Sequence, residues 1–255
     1  MAGTTEGVEI IRKLGKIGDI YLIASTVTRQ GADLVTSAGA DEVIDHALDE
    51  RAMEGVIRGR RIEVLVDATH PFAADATKNA IKAADACRIK YIRFERPSID
   101  IPENDLIYQV NSFEEAASEA LKLTEGRIFH LAGAMTLQRL TEKIDPHRIV
   151  VRVLPSVYSI KKCRELGIPA ANIIAMQGTF SKAFNLILME EYDISLVLTK
   201  ESGETGGTPS KIEAAMELGI PVVIVIRPHL AELENKRVFE NLNKLVRYLV
   251  RLCHL

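Results

Sequence analysis

Short apolar runs rich in β-branched residues alternate with Ala-rich amphipathic segments along the whole chain. The apolar runs predict strands at Ile20–Ser25, Glu42–Ile44, Glu63–Ala68, Tyr91–Glu95, Leu106–Val110, Arg127–Leu131, Ile149–Leu154, Asn172–Met176, Ser195–Thr199 and Pro221–Ile226. The amphipathic segments predict helices at Glu6–Lys16, Glu50–Arg58, Ala73–Cys87, Phe113–Thr124, Ser156–Leu166, Ser181–Glu191, Ser210–Leu218 and Leu242–Leu252. This alternation is typical of a mostly parallel sheet with helices on its faces, so we expect an α/β fold.

The pattern repeats within the chain. Arg96-Pro97 recurs as Arg227-Pro228, 131 positions later, and the same offset carries Ile89–Ile92 onto Ile220–Val223. A register that continues through strand, loop and helix indicates more than chance coincidence of apolar residues. We therefore expect two Rossmann-like parallel-sheet domains related by internal duplication, at residues 1–126 and 127–255, with a cleft between them.

The first half lacks a counterpart for one strand of the second. Arg127–Gly133 is a strand ending in glycine, and its equivalent would lie before Met1. Either the true start lies upstream, or the strand comes from elsewhere, or the sheet has an open slot at its centre. An open slot would expose ladder groups and apolar faces, which favours a misplaced start.

Composition narrows the class of protein. Hydrophobic residues make up 47% of the 255 residues and charged residues 26%, so the chain can bury a large core. The net charge of −3 and the lack of a dense basic run argue against nucleic acid as a partner. The sequence shows no membrane span and no targeting segment, and the three cysteines are not spaced as a metal site, so we expect a cytoplasmic protein without bound metal.

In an open parallel sheet, ligands bind beyond the carboxyl ends of the strands. The Gly-rich turn Gly3–Gly7 enters a helix and could hold a phosphate, although Thr4 also reads as an ordinary helix cap. The segment Ser25–Arg29 offers hydroxyls and an arginine but no carboxylate, which suits the 2′-phosphate of NADPH better than the ribose diol of NADH. The alternative is a solvated polar loop.

Two further segments occupy equivalent places in the halves. In Asp67–Ala73, Pro71 fits the first helical position and would hold Thr69 and His70 in a defined turn, where His70 could donate a proton. The alternative is that Asp67 or Thr69 caps the helix and His70 only completes a turn. Thr199–Gly207 is a donor-rich loop suited to an anion or a nicotinamide carboxamide, or else a bare hinge.

Taken together, these segments resemble the precorrin-6A and cobalt-precorrin-6A reductases of cobalamin biosynthesis, over essentially the whole chain. The resemblance rests on Gly-Thr-Thr-Glu-Gly, Asp-Ala-Thr-His-Pro-Phe-Ala, Met-Gln-Gly-x-Phe-Ser and Thr-Lys-Glu-Ser-Gly in this order. It implies an NAD(P)H-dependent oxidoreductase that reduces one double bond of the tetrapyrrole macrocycle of (cobalt-)precorrin-6A to give (cobalt-)precorrin-6B. The family's strand before the glycine turn is represented here only by Met1–Thr4.

The resemblance carries cofactor-binding roles over to Gly3, Thr4, Thr5, Glu6, Ser25, Thr26, Thr28 and Arg29. As our own hypotheses we add Thr69, Glu201, Ser202 and Gly203 as further contacts of NADPH or NADH, and the catalytic and substrate-binding residues that follow. The catalytic candidates are His70 as proton donor, Asp67 in support, and Lys200. Because the substrate carries many carboxylates, we expect Arg93, Arg96, Lys211 and Arg227 to bind it. The alternative function is a non-catalytic two-domain module that closes on a small ligand. We expect a monomer or small homo-oligomer.

Overall fold

The computed structural model describes residues 1–17 and 20–253, and it confirms the predicted α/β class with sheets whose strand pairings are all parallel. The strands are β1 (Ile23–Ser25), β2 (Glu42–Ile44), β3 (Val64–Asp67), β4 (Lys90–Phe94), β5 (Ile107–Val110), β6 (Arg127–His130), β7 (Ile149–Val153), β8 (Ile173–Ala175), β9 (Ile194–Lys200), β10 (Val222–Val225) and β11 (Arg237–Phe239). The helices are α1 (Thr5–Leu14), α2 (Arg29–Ser37), α3 (Glu50–Gly59), α4 (Ala74–Cys87), α5 (Phe113–Leu123), α6 (Leu137–Thr141), α7 (Val157–Glu165), α8 (Lys182–Glu191), α9 (Thr208–Glu217) and α10 (Leu242–Cys253).

The chain divides into two compact units. Unit 1 contains Met1–Pro97 and the segment from Pro228 onward, and unit 2 contains Ser98–Arg227. These limits differ from the predicted boundary between residues 126 and 127. The difference has a topological cause: β5 pairs with β10 in unit 2, and β11 pairs with β4 in unit 1, so each unit takes its edge strand from the other half of the sequence.

Unit 2 is built on one six-stranded sheet in the order β5-β10-β9-β6-β7-β8. One face packs Phe129, Val150 and Val197 against Ile212 of α9 and Met189 of α8. Residues at every second position of these strands share that face, because side chains alternate along a strand. Arg152 and Thr199 therefore lie on the same face as Val150 and Val197, close to the carboxyl ends of their strands.

Unit 1 contains a three-stranded sheet, β11-β4-β3, and a two-stranded sheet, β1-β2. Written side by side with one empty position between them, the two sheets give the order β11-β4-β3, gap, β1-β2. This order matches that of unit 2, and the empty position corresponds to β6. At an offset of 131 residues, β2 falls on β8 and β3 falls within β9. This correspondence supports the proposed duplication.

Met1 and Ala2 lie between β3 and β1. The Met1 ammonium donates to Val66 O at 2.8 Å, Ala68 N donates to Met1 O at 3.1 Å, and Ala2 N donates to Ser25 O at 2.9 Å. A cavity of about 430 Å³ adjoins them, lined mainly by apolar side chains of β1, β3, α1 and α3. Met1 and Ala2 thus link β3 to β1 through main-chain hydrogen bonds, while β3 pairs with β4 and β1 with β2.

Local side chains account for most helix starts. The Thr4, Thr28, Asp49, Ser112, Ser156 and Ser181 side chains each accept a hydrogen bond from a backbone N–H of the following first turn. Helix α4 begins at Ala74 without a side-chain cap, so Pro71 lies in the preceding turn and not at the first helical position. Helices α2 and α6 and strand β11 were not predicted.

Candidate functional site

The first helix of unit 1 starts at a capped turn that could hold a phosphate. Thr4 Oγ1 accepts from Gly7 N at 3.1 Å and donates to Ala68 O at 2.9 Å, which fastens the turn to the end of β3. A Cβ at Gly7 would lie 2.8 Å from the Ala2 Cα, whereas a Cβ at Gly3 would have nothing within 4 Å. The helix therefore approaches Ala2 as closely as only glycine allows, and space remains in front of Gly3.

The Glu6 side chain in this turn points toward a predicted substrate-binding residue. Its Oε2 accepts from Arg96 Nη2 at 2.6 Å, and both side chains are 13% exposed. Thr5 is the first residue of α1. The structure thus joins Glu6, predicted to bind the cofactor, to Arg96, predicted to bind the substrate, and the ion pair neutralises both charges.

The segment after β1 forms a second capped helix start. Thr28 Oγ1 accepts from Gly31 N at 3.0 Å, and the buried Thr26 donates to Thr28 O at 3.4 Å. Ser25 is the last residue of β1, and Arg29 is the exposed first residue of α2. Thr28 therefore has a structural role, while Arg29 can reach a ligand at this helix start.

The buried carboxylate of Asp67 organises the end of β3. Its Oδ1 accepts from Thr69 N at 3.0 Å and from Thr69 Oγ1 at 2.7 Å, and its Oδ2 accepts from Thr77 Oγ1 at 2.9 Å and from Tyr91 OH at 2.8 Å. Burial alone would raise the pKa of Asp67, but Arg93 and the Thr69 hydrogen bonds outweigh it, and the pKa is lowered. The same burial and the Asp67 charge raise the pKa of Tyr91.

Arg93 is the cationic partner of Asp67. The two residues are paired in the β3–β4 register, and Arg93 Nη1 lies 2.9 Å from Asp67 Oδ1 and 3.0 Å from Thr69 Oγ1. The Arg93 side chain is 1% exposed and the Asp67 side chain 0% exposed. Neither is open to solvent, so this pair holds the turn at Thr69 in place, and the expected contact between Arg93 and a substrate carboxylate has no support in its position.

His70 follows this network and is partly exposed. Its Nδ1 accepts from Phe72 N at 3.2 Å, and its carbonyl oxygen accepts from Ala73 N at 2.8 Å. Because Nδ1 accepts, a neutral ring carries its proton on Nε2. The turn thus fixes the imidazole orientation, and Asp67 supports that turn by accepting from Thr69.

In unit 2, the loop after β9 is closed by a second buried ion pair. Glu201 Oε1 accepts from Gly203 N at 2.8 Å and from Arg227 Nη2 at 3.2 Å, and Arg227 Nε also pairs with Glu201. Ser202 N donates to Thr208 Oγ1 at 3.1 Å, and Gly203 has a φ of 73°. Glu201 and Arg227 therefore shape this loop, and Arg227 is already neutralised by a carboxylate.

Lys200 ends β9, and Lys211 lies in the first turns of α9. Lys211 is 7% exposed, and its Nζ donates to Gly206 O at 3.0 Å. Burial, followed by the charges of Arg152 and Lys200, lowers the pKa of Lys211 to about 7. These two lysines and Arg152 thus form a cationic region near the carboxyl edge of the unit 2 sheet.

Three residues of chemical interest were not singled out from the sequence. Gly7 was named only as part of the glycine turn, because its close approach to Ala2 is visible only in the structure. Arg152 carries a signal in the sequence, since it interrupts the apolar run Ile149–Leu154. His130 ends β6 fully buried, and burial lowers its pKa to about 4.

Within residues 1–17 and 20–253, no group of three or more His, Cys, Asp or Glu side chains is arranged to hold a metal ion. In the same part of the chain, the helices are too short or too polar to cross a bilayer.

Comparison with known proteins identifies relatives over nearly the full length. The family model described as precorrin-6x reductase CbiJ/CobK matches residues 1–250. The cobalt-precorrin-6A reductase of Methanothermobacter thermautotrophicus is 44% identical over 99% of this chain and 83% of its own, and that of Methanocaldococcus jannaschii is 37% identical over 99% and 97%. The precorrin-6A reductase of Rhodococcus erythropolis is 30% identical over 68% of this chain and 66% of its own.

Among solved structures, CobK precorrin-6A reductase superposes with a TM-score of 0.77 and covers 98% of this chain and 94% of its own. The sequences are 20% identical, so this likeness shows the fold alone.

Proposed function

The chain belongs to the precorrin-6x reductase family, and from this premise we propose that its substrate is cobalt-precorrin-6A and its reductant is NADPH. The family membership makes the protein an oxidoreductase of cobalamin biosynthesis that reduces one double bond of the precorrin-6A macrocycle with a nicotinamide cofactor. The cobalt-containing substrate is supported by four relatives of 33–44% identity, each a cobalt-precorrin-6A reductase.

The observation that carries the cofactor site is the start of α1. The first N–H groups of a helix have no acceptor within the helix, and together with the helix dipole they attract a phosphate. Here Thr4 fixes the turn, and Gly7 allows the helix to approach Ala2 to a distance that a Cβ would block. These residues fit the pyrophosphate of a dinucleotide, which Gly3, Thr4, Thr5 and Glu6 would hold.

The preference for NADPH is assigned to the second helix start. Arg29 is exposed at the beginning of α2, directly after Thr28, whose hydroxyl caps the helix. Segment Ser25–Arg29 contains no carboxylate to accept the two ribose hydroxyls of NADH. A guanidinium can instead bind the extra phosphate of NADPH through two hydrogen bonds.

The reaction adds a hydride to one carbon of the macrocycle and a proton to another atom of its conjugated system. A bound nicotinamide supplies the hydride. We assign the proton to His70, since its hydrogen bond from Phe72 N leaves the ring proton on Nε2. Asp67 acts as a positioning residue through Thr69, and Lys200 keeps its proposed place in catalysis as a cation at the end of β9.

The remaining assignments follow the position of each side chain. Thr69, Ser202 and Gly203 stay proposed contacts of the cofactor by their place at strand ends, while their backbone N–H groups donate to Asp67, Thr208 and Glu201. Glu201 shapes its loop, Arg96 and Arg227 are paired with carboxylates, and Arg93 is enclosed. Among the predicted substrate-binding residues, Lys211 is therefore the one whose charge is not offset by a carboxylate in the described structure.

Binding of the cofactor is tested by thermal unfolding with NADPH and with NADH. A ligand that binds only the folded protein raises the midpoint, and we expect the larger rise with NADPH. Arg29→Ala weakens NADPH binding roughly tenfold, equivalent to about 1.4 kcal/mol, and leaves NADH binding unchanged. Arg51→Ala, an exposed arginine of α3, is the matched control. Equal binding of both cofactors by the wild-type protein would refute the assignment to Arg29.

The reaction is tested by anaerobic turnover of cobalt-precorrin-6A, followed as oxidation of NADPH. His70→Asn lowers kcat roughly 100-fold or more, as expected for loss of a proton donor, while the affinity for NADPH is kept. Full turnover by this variant would remove His70 from the mechanism. Turnover of precorrin-6A but not of its cobalt complex would contradict the proposed substrate.

A further inference from the structure

Arg152 is a cation in an apolar part of unit 2. It lies on β7 between valines, and its guanidinium carbon is 4.8 Å from the centroid of the Phe180 ring and 5.8 Å from that of Phe129. Its Nη1 donates to Asn185 Oδ1 at 2.8 Å, and burial lowers the pKa of Arg152 to about 10. Among the ion pairs of the described residues, none neutralises this side chain.

Lys211 faces the same region from α9. The charges that act on it come from Arg152 on β7 and Lys200 on β9, and both disfavour its ammonium form. The carboxylate of the neighbouring turn, Glu204, is exposed, and Lys182 of α8 pairs with Glu217. The buried Lys211 and the partly buried Arg152 are therefore like charges held close together, and among the ion pairs of the described residues none joins either of them to a carboxylate.

The surroundings provide further donors. Thr199 is fully buried, and its Oγ1 has no hydrogen-bond partner in the described structure. It lies on the same face as Arg152, near the end of β9, which β6 separates from β7. Helix α9 begins after Gly207, whose φ is 68°. A helix start, a hydroxyl and two cations are complementary to an oxyanion.

A purely structural role does not account for this arrangement. Uncompensated charge in a protein interior is unfavourable, and apolar residues of similar size would stabilise the fold better. Sites kept at the expense of stability are typical of ligand binding. Arg152 itself is partly exposed, and the segment Gln177–Thr179 next to Phe180 is exposed, so solvent reaches this side chain.

We propose that Arg152 and Lys211, with Thr199 and the start of α9, form a subsite for one carboxylate of the tetrapyrrole substrate. This inference rests on the proposed function, because it uses a substrate rich in carboxylates. A cofactor phosphate offers the same oxyanion chemistry, but the phosphate turn is assigned to Gly3–Glu6 in unit 1. The planar fork of Arg152 matches a carboxylate through two hydrogen bonds.

The subsite couples binding to protonation. Near pH 7 and above, a large fraction of Lys211 is neutral in the free protein. A carboxylate beside it favours the ammonium form, so binding takes up a proton. We therefore expect kcat/KM to fall as the pH rises above about 7 in the wild-type protein, and to fall less in Lys211→Arg, whose charge is permanent.

The test compares Arg152→Met and Lys211→Met with Lys161→Met, an exposed lysine of α7 paired with Glu165. We expect the first two variants to raise the KM for cobalt-precorrin-6A roughly tenfold or more, with a smaller change in kcat and unchanged binding of NADPH. We also expect them to unfold at the same temperature as the wild-type protein or higher, since each removes an uncompensated charge from an apolar region. Lys161→Met leaves every measurement unchanged.

A second arm uses acetate and inorganic phosphate as probes in thermal unfolding at equal ionic strength. Acetate raises the midpoint of the wild-type protein but not that of Arg152→Met, and phosphate raises both equally through the turn in unit 1.

An unchanged KM for cobalt-precorrin-6A in Arg152→Met overturns the subsite while the proposed function stands. A lower unfolding midpoint of this variant does the same, because it would show that Arg152 has a structural role. If NADPH neither binds nor is consumed by the wild-type protein, the proposed function fails, and the acetate arm still decides on the subsite. Protection by phosphate that depends on Arg152 assigns the subsite to the cofactor and overturns the proposal.

Discussion

The buried pair Asp67–Arg93 allows a sharp test of how unit 1 holds its site. Replacing Arg93 with Met keeps a side chain of similar length and removes the charge that lies 2.9 Å from Asp67 Oδ1. The carboxylate then stays in an enclosed site with hydrogen bonds from Thr69, Thr77 and Tyr91 and with the more distant charge of the Met1 ammonium, but without its ion-pair partner. A buried charge that has lost its partner destabilises the folded state strongly.

Removal of one partner of a buried pair typically costs about 3–5 kcal/mol. Four hydrogen bonds still reach Asp67 in this variant, so we expect the lower end, about 3 kcal/mol. For a chain of this size, each kcal/mol lowers the midpoint by roughly 2–4 °C, which gives a loss of roughly 6–12 °C at neutral pH. Calorimetry and urea unfolding measure both quantities.

The dependence on pH gives this prediction its second criterion. In the wild-type protein the pKa of Asp67 is lowered, so its contribution to stability is full above the unfolded pKa of about 3.9 and is lost as the pH falls through the folded pKa. Without Arg93, burial favours the protonated acid, and the folded pKa rises. The variant then recovers stability relative to the wild-type protein as the pH falls from 7 toward 4.

The double variant Asp67→Asn/Arg93→Met removes both charges and should regain part of the stability lost by Arg93→Met. Arg60→Met, which breaks the exposed pair with Glu42, is the control and leaves the midpoint nearly unchanged. A loss below about 1 kcal/mol would refute the reasoning, because it would make the buried pair equivalent to a surface pair. An equal loss at pH 4 and pH 7 would refute the assignment of the effect to the Asp67 charge.

Three further predictions concern other parts of the fold. Gly7→Ala forces a Cβ to within 2.8 Å of the Ala2 Cα, so we expect weaker NADPH binding in a fluorescence titration. The control Gly55→Ala in α3, which has open space around it, leaves binding unchanged. Equal affinities of the two variants would show that the close approach of α1 to Ala2 is not part of the cofactor site. Burial lowers the pKa of His130 to about 4, so its contribution to stability is full above about pH 6.5 and is lost as the pH falls to 4. Urea unfolding should show a loss of roughly 3 kcal/mol over this range in the wild-type protein, and His130→Gln should abolish this loss. The same dependence of stability on pH in both proteins would contradict this prediction. An extension of five apolar residues ahead of Met1 replaces the buried ammonium at Val66 by a peptide N–H and enters the cavity between β1 and β3, so the midpoint of thermal unfolding rises. A Gly/Ser extension of equal length leaves that midpoint unchanged. Equal midpoints of the two extended proteins would show that the cavity does not accept a strand.

The fold was predictable from the sequence to the extent that its elements have strong local patterns. The buried strands of unit 2 are continuous apolar runs, and most helices have a polar cap followed by an amphipathic stripe. Helix α2 was missed because it buries only Val35 and carries Gly31 within its first turn. Strand β11 is three residues long and exists through its pairing with β4, which no local pattern reveals.

The candidate site segments could be selected from the sequence, whereas the roles of their charged side chains could not. Strand ends and glycine turns identified the segments at Gly3, Ser25, Asp67 and Thr199. Whether an arginine there is open or enclosed depends on pairing across strands. Arg93 is opposite Asp67 only in the register of β3 with β4, which is tertiary information. Sequence reasoning therefore selected this segment as a candidate but assigned Arg93 a contact that its enclosure does not support.

The distribution of charge pairs explains why the subsite in unit 2 matters for the substrate. Arg93, Arg96 and Arg227 are each bound to a carboxylate of their own unit, so they add little net attraction for a polyanion. A chain of net charge −3 must then recognise substrate carboxylates with the few cations that lack such partners. Arg152 and Lys211 meet this condition in the described structure. On this reasoning, Arg152→Met should raise the substrate KM more than Arg227→Met, although Arg227 lies in the more conspicuous loop. The reverse order would show that Glu201 releases Arg227 when substrate binds.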